Sequence, residues 1–140
     1  MATPTEKGPL PAVNARTMRS LLAALALALG GCGASKSTGE WIELSKSKDS
    51  ADRTRAIREL AERKADAEAV VPVLTAALAD VDAFVRRDAA RALGQFGSMA
   101  ATAVPALKSA ARDKNQHVRE TALAALRQIA PDVSVEPRKR

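Results

Sequence analysis

The feature that most constrains this chain is that it repeats itself. At an offset of 33 residues, segment 72–98 lies over segment 105–131 with ten of 27 positions identical and no gap. The matches include Pro72/Pro105, Leu74/Leu107, Asp80/Asp113, Val85/Val118, Arg86/Arg119 and Leu93/Leu126. A fainter copy lies one offset upstream, where Ala56 precedes Ala89, Arg58 precedes Arg91 and Leu60 precedes Leu93. A fixed period of this size means stacked supersecondary units, each burying its apolar face only against its neighbours.

Each unit reads as two helices. Val85, Ala89, Leu93 and Phe96 fall at helical spacing in the second helix, as do Val118, Ala122, Leu126 and Ile129. Asp49, Asp82 and Asn115 recur at the starts of these helices, and their side-chain oxygens suit them to cap unpaired amides of a first turn. The first helices carry Val71, Leu74 and Leu78, then Val104, Leu107 and Ala111, with Trp41 and Leu44 as the upstream pair. Pro72 and Pro105 are tolerable in a first turn or else produce a kink. Composition agrees: Ala and Leu dominate, aromatics are 2% and there is no Tyr, which favours helices over sheets. The expected fold is all-α, a short α-solenoid of about three helical hairpins, with units near 41–66, 67–99 and 100–131.

These units resemble the short HEAT-like repeats first described in phycobilisome lyases, whose pattern is VPxLxxALxDxxxxVRxxAxxALxxIG. VPVLTAALADVDAFVRRDAARALGQFG and VPALKSAARDKNQHVRETALAALRQIA carry the likeness, and the first unit follows it loosely. The resemblance implies hairpins stacked side by side and says little about chemistry, since such repeats serve unrelated partners. In the first unit Asp52 stands where the others have Val85 and Val118, and Ser45 where the second has Leu78. A polar outer unit suits the end of a stack. No fourth hairpin follows Pro131, which leaves Leu123 and Ile129 partly uncovered unless Val133 and Val135 fold back over them.

The first forty residues read as address and anchor. Leu21–Leu29 form an apolar run preceded by Arg16 and Arg19, too short for a bilayer but suited to a signal-peptide core. Leu29-Gly30-Gly31-Cys32 resembles the bacterial lipobox, which implies cleavage between Gly31 and Cys32 and acylation of Cys32. The presequence is then 1–31, with Met18 as an alternative start. The alternative for Cys32 is a stray thiol. Residues 32–40 read as the lipidated cysteine and a flexible Gly/Ser-rich tether, with an r.m.s. reach of roughly 15 Å for eight residues. Residues 132–140 read as a disordered basic tail, able to touch anionic lipid or serving only for solubility. The expected location is the bacterial envelope, lipid-anchored; Gly33 after the cysteine points to the outer membrane, facing the periplasm, in a Gram-negative host.

Charge bears on the partner. The net charge is +6, yet between Cys32 and Pro137 Lys and Arg number 16 against 15 Asp and Glu, so the body is nearly neutral. That opposes a nucleic-acid groove. Arg86, Arg87 and Arg91 form the densest basic cluster and, with Arg119, are candidate partner-binding residues; the alternative is a solvated face. Asp80 and Asp113 recur six residues before Arg86 and Arg119. They form either a charged ladder on a binding face or structural pairs, each aspartate capping its turn and meeting an arginine of its own or the next unit. One histidine, His117, and one cysteine assemble neither a metal site nor a catalytic triad.

The expectation is a non-enzymatic, envelope-anchored module that binds a protein partner. It foresees no cofactor, metal, small-molecule substrate or nucleic acid, and its membrane contact runs through Cys32. The alternatives are a bilin-lyase-like enzyme or accessory, suggested by the repeat, and a nucleic-acid-binding solenoid.

Overall fold

Three helix starts are built alike. Asp49 Oδ1 accepts the Ala51 amide at 2.8 Å, Asp82 Oδ1 accepts that of Phe84 at 2.7 Å, and Asn115 Oδ1 accepts that of His117 at 2.9 Å. Each cap satisfies an amide that has no partner within its own helix. In the computed structural model, which describes residues 35–132, these caps open helices α2 (Ser50–Ala61), α4 (Ala83–Phe96) and α6 (Gln116–Ile129). The helices α1 (Thr38–Leu44), α3 (Ala67–Ala77) and α5 (Val104–Ala110) precede them, one to each. Short 3₁₀ segments, Lys64–Asp66 and Gly97–Ala103, join one hairpin to the next. The described residues form an all-α solenoid of three hairpins.

Helix α1 begins earlier than expected. Residues 38–40, read as tether, form its first turn, because Ser37 and Glu40 make a reciprocal capping box. The Glu40 carboxylate accepts the Ser37 amide at 2.7 Å and the Ser37 hydroxyl at 2.9 Å. Those bonds, backbone first, hold the exposed Glu40 carboxyl below its ordinary pKa. The Thr38 hydroxyl donates to Asp66, tying the start of α1 to the 3₁₀ segment that leads into the second unit.

The second helices α2, α4 and α6 pack side by side as the spine of the stack, and each first helix lies against the second helix of its own unit. Ile57, Leu60, Leu74, Leu93 and Leu107 are fully buried in one continuous core. Each contributes about 1.5–3 kcal/mol of transfer free energy. Trp41 is buried at the first-unit end, with Lys36 Nζ and the Arg55 guanidinium each 5.7 Å from its ring centroid. Asp52 is exposed, as a polar end unit requires, and accepts the Ser47 hydroxyl. Leu123 is half-buried and Ile129 is 8% exposed within the core; Val133 and Val135, on which their cover was expected to depend, lie outside the described residues.

The two glycines near the end of α4 have separate causes. Gly97 closes the helix at φ 55°, ψ −133°, a conformation nearly reserved to glycine. Gly94 lies inside α4, where a Cβ would stand 3.2 Å from the Ala125 Cα and 2.6 Å from Gln128 Oε1. Its missing side chain lets α6 come close.

Substituting Gly94→Leu is expected to push α4 and α6 apart and cost about 2 kcal/mol or more, as overpacking does. Chemical denaturation followed by circular dichroism would show it, and an unchanged midpoint would refute the close approach. Because Gly97 uses a glycine-only conformation, Gly97→Ala is expected to cost about 1–3 kcal/mol in the same measurement.

Candidate functional site

Three arginines at the 33-residue spacing, Arg53, Arg86 and Arg119, run along the turn end of the spine. In each, Nη1 donates to two carbonyls of the turn ahead of its own helix. Arg53 bonds Ser47 and Lys48, both at 3.0 Å. Arg86 bonds Asp80 at 2.8 Å and Val81 at 3.1 Å, and Arg119 bonds Asp113 at 2.9 Å and Lys114 at 3.1 Å. The other edge of the guanidinium crosses to the next unit. Arg53 Nε and Nη2 donate to the two oxygens of Asp80, both at 2.8 Å, and Arg86 donates likewise to Asp113 at 2.8 and 3.0 Å. These bidentate pairs are shielded, with side chains 7–13% exposed.

Each aspartate has a second task. Asp80 Oδ1 accepts the Asp82 amide and Asp113 Oδ1 that of Asn115, both at 2.8 Å. In the first unit Ser47 Oγ takes that place, accepting the Asp49 amide at 3.2 Å. Burial pushes Asp80 up. The Arg53 bond, the Asp82 amide and the charges of Arg53 and Arg86 outweigh it, so its carboxyl sits below its ordinary value. Asp113 follows the same balance with Arg86, Asn115 and Lys114. The Asp113 bond holds Arg86 above its ordinary value against its own burial.

Two expectations are corrected here. Each aspartate reaches back to the arginine of the preceding unit, not to its own or the next. Arg86, expected at a partner surface, is 6% exposed and engaged by Asp113 and two turn carbonyls, so it holds the stack together. Arg53 was not singled out, although the same offset that relates Arg86 to Arg119 would have found it.

Arg87 and Arg91 belong to a second cluster. Asp88 is 1% exposed and receives three guanidinium groups: Arg58 at 2.6 Å, Arg87 at 3.0 Å and Arg91 at 3.0 Å. Arg58 comes from α2, so this is another bond between units. The Arg58 and Arg91 side chains remain about half exposed, leaving two cations in excess of one buried carboxylate. Phe84 stands beside them, 62% exposed, with the Arg87 guanidinium 5.2 Å from its ring centroid.

Between α2 and α4 lies a groove of about 560 Å³, lined by Ser50, Thr54, Arg55, Arg58, Asp82 and Phe84. It adjoins a smaller one of about 210 Å³ beside Arg58, Asp88 and Arg91. His117 is exposed, its Nδ1 3.9 Å from the Glu120 carboxylate. Among the described residues no three His, Cys, Asp or Glu side chains gather as metal ligands, and no helix is long and apolar enough to cross a membrane. Gly31 and Cys32 lie outside the described residues.

Residues 71–137 match the family model of HEAT repeats. The fold is an all-α solenoid similar to HEAT repeats. It is similar to the complex of CpcE and CpcF of phycocyanin lyase from Nostoc sp. PCC7120, with a TM-score of 0.62 and 30% identity over 73% of this chain and 42% of that one. It is also similar to a crystallised engineered protein, with a TM-score of 0.58 and 27% identity over 69% of this chain and 46% of that one. The chain thus spans less than half the length of either. A comparison with curated proteins found no match. The likeness to a lyase complex corrects the expectation of a non-enzyme, since repeats of this build and sequence occur in an enzyme's subunits.

Removing Asp113 would strand Arg86 as a buried, unpaired cation. Asp113→Ala is expected to cost about 3 kcal/mol, and the double variant Asp113→Leu, Arg86→Met markedly less, because it removes both charges. A double-mutant cycle by urea denaturation checks this.

The pH dependence has a defined sign. Asp80 and Asp113 have folded pKa values below the ordinary 3.8, so their contribution is full above that value and lost as pH falls through the lower folded values. Unfolding free energies at pH 6, 4 and 3 are therefore expected to drop below about pH 4. The drop should be shallower in Asp80→Asn, Asp113→Asn.

Proposed function

We propose that this chain is an envelope-anchored protein-interaction module that holds a segment of a partner protein in the groove between α2 and α4. The observation that carries the reading is Phe84, a large aromatic side chain left 62% exposed at that groove and framed by Arg55, Arg58 and Arg87. An exposed aromatic beside arginines is the composition of an interface anchor. The phycocyanin lyase complex supports the reading from outside, because there two proteins work as a complex. The anchor rests on the apolar run at Leu21–Leu29 and on Leu29-Gly30-Gly31-Cys32. With Cys32 acylated, the module stands at the membrane surface, on the periplasmic face of the outer membrane in a Gram-negative host.

A second reading is favoured by that same likeness: a lyase-type role, in which the groove serves a chromophore-protein lyase reaction as subunit or accessory. Titrating the chain with a free bilin and following absorbance tests it, and a saturable spectral shift abolished by Phe84→Ser is the expected signature.

For the leading reading, the affinity-tagged chain is expected to recover one specific protein from detergent-solubilised envelopes. Phe84→Ser should lose that protein while melting at the same temperature. Equal recovery by both would sink the groove as the interface. For the anchor, intact mass after membrane fractionation is expected to show an acylated species beginning at Cys32, absent from Cys32→Ala.

A further inference from the structure

We infer that the last rung of the arginine ladder is a socket for an acidic segment of a partner protein, seated on Arg119, Leu123 and Arg127. The inference is independent of the groove at Phe84. Arg119 is held like the two arginines before it: Nη1 bonds the Asp113 and Lys114 carbonyls, as Arg86 bonds Asp80 and Val81. In Arg53 and Arg86 that arrangement presents Nε and Nη2 to a carboxylate. Among the described residues no carboxylate meets this edge of Arg119. The fork is therefore oriented in advance for an oxygen pair, which removes much of the ordering cost of binding one.

The rest of the row decides what kind of carboxylate fits. In α4 the positions facing the next unit are Arg86, Ala90 and Gly94, all buried. Their equivalents in α6 are Arg119, Leu123 and Arg127, of which Leu123 is half-buried and Arg127 exposed. An arginine where α4 has no side chain holds a partner helix farther from α6 than α6 lies from α4. The row is instead a cation, an apolar side chain and a second cation at four-residue steps, the two arginines about 12 Å apart along the helix.

Its complement is a segment with two carboxylates at that separation and an apolar side chain between them. A second copy of this chain lacks the first carboxylate, because Ser47 stands where Asp80 and Asp113 stand in the other units. Residues 133–140 offer Glu136 but also Arg138, Lys139 and Arg140, which Arg119 and Arg127 repel. The two cations and the apolar side chain between them favour an acidic segment of a different protein.

The test uses the full chain and a fluorescein-labelled helical peptide with aspartates eight positions apart and a leucine midway, alongside its twin with both aspartates replaced by asparagine. Fluorescence anisotropy is expected to show binding of the aspartate peptide alone, weakening as salt rises. Arg119→Gln and Arg127→Gln should each weaken binding at least about tenfold. Arg119→Lys, which keeps the charge and loses the fork, should fall between wild type and Arg119→Gln. Phe84→Ser should bind as wild type does, which separates this socket from the groove. Equal binding by wild type and both glutamine variants, or by the asparagine twin, overturns the proposal. Binding that emerges only after residues 133–140 are removed assigns the socket to the chain's own tail and overturns it too. A dimer in light scattering that dissociates in Arg119→Gln does the same in favour of a second copy.

Discussion

Arg86 joins two turns at once: the turn ahead of its own helix, through two carbonyls, and the turn of the following unit, through Asp113. That single side chain sets the register between neighbouring hairpins, because the Asp113 carboxylate is itself fixed by the Asn115 amide and cannot slide. Apolar packing between α4 and α6 is non-directional and tolerates small shifts. The bidentate pair does not, and Gly94 lets the helices close to the distance at which it forms. The fork at Arg119 inherits its position from this register, and the groove with its exposed phenylalanine inherits its own from the equivalent Arg53–Asp80 pair.

The same interaction explains why so much charge is buried in a protein of modest core. Arg53, Arg86, Asp80, Asp113 and Asp88 are all shielded, and each is matched by a partner from an adjacent unit. Pairs of this kind contribute little net stability over an apolar substitute, yet breaking one is costly. Their effect here is on specificity: a unit can stack only on a neighbour that presents the right group at the right turn. At the first-unit end Ser47 keeps the turn bond and drops the charge, and at the other end Arg127 replaces the gap that Gly94 provides. Both ends depart from the interior pattern at the positions that would otherwise propagate it.

Most of the fold was legible because its signals are periodic. Spacing alone located Asp49, Asp82 and Asn115 as cap candidates, and the apolar stripes of α4 and α6 followed from the same comparison. The direction of the arginine–aspartate pairing was not legible, since sequence offsets do not say which neighbour lies within reach. Arg53 is harder to see in the sequence because its unit departs from the pattern at the neighbouring Asp52. Ser37-Thr38-Gly39-Glu40 was read by its composition as a linker, although its spacing is that of a capping box. The Asp88 cluster was half legible. The step from Asp88 to Arg91 is visible along one helix, whereas Arg58 joins only once α2 and α4 are side by side. Whether an arginine is buried or exposed is invisible to spacing, so the buried Arg86 reads in the sequence like Arg87 and Arg91.

Among the described residues the ladder has two filled rungs and three units, so these units are not equivalent in how they come apart. The first is bonded on one side through Arg53 and Arg58, and the third on one side through Arg86 and the contact at Gly94. Among the described residues the middle unit alone is held from both directions. In a molecule whose contacts run only between neighbours, opening proceeds inward from the ends. Amides of α4 then exchange with solvent only when the whole stack opens, and those of α1 and α5 exchange through smaller excursions. A partner seated on either end changes more than occupancy, because it turns a terminal unit into an interior one and slows the fraying that begins there.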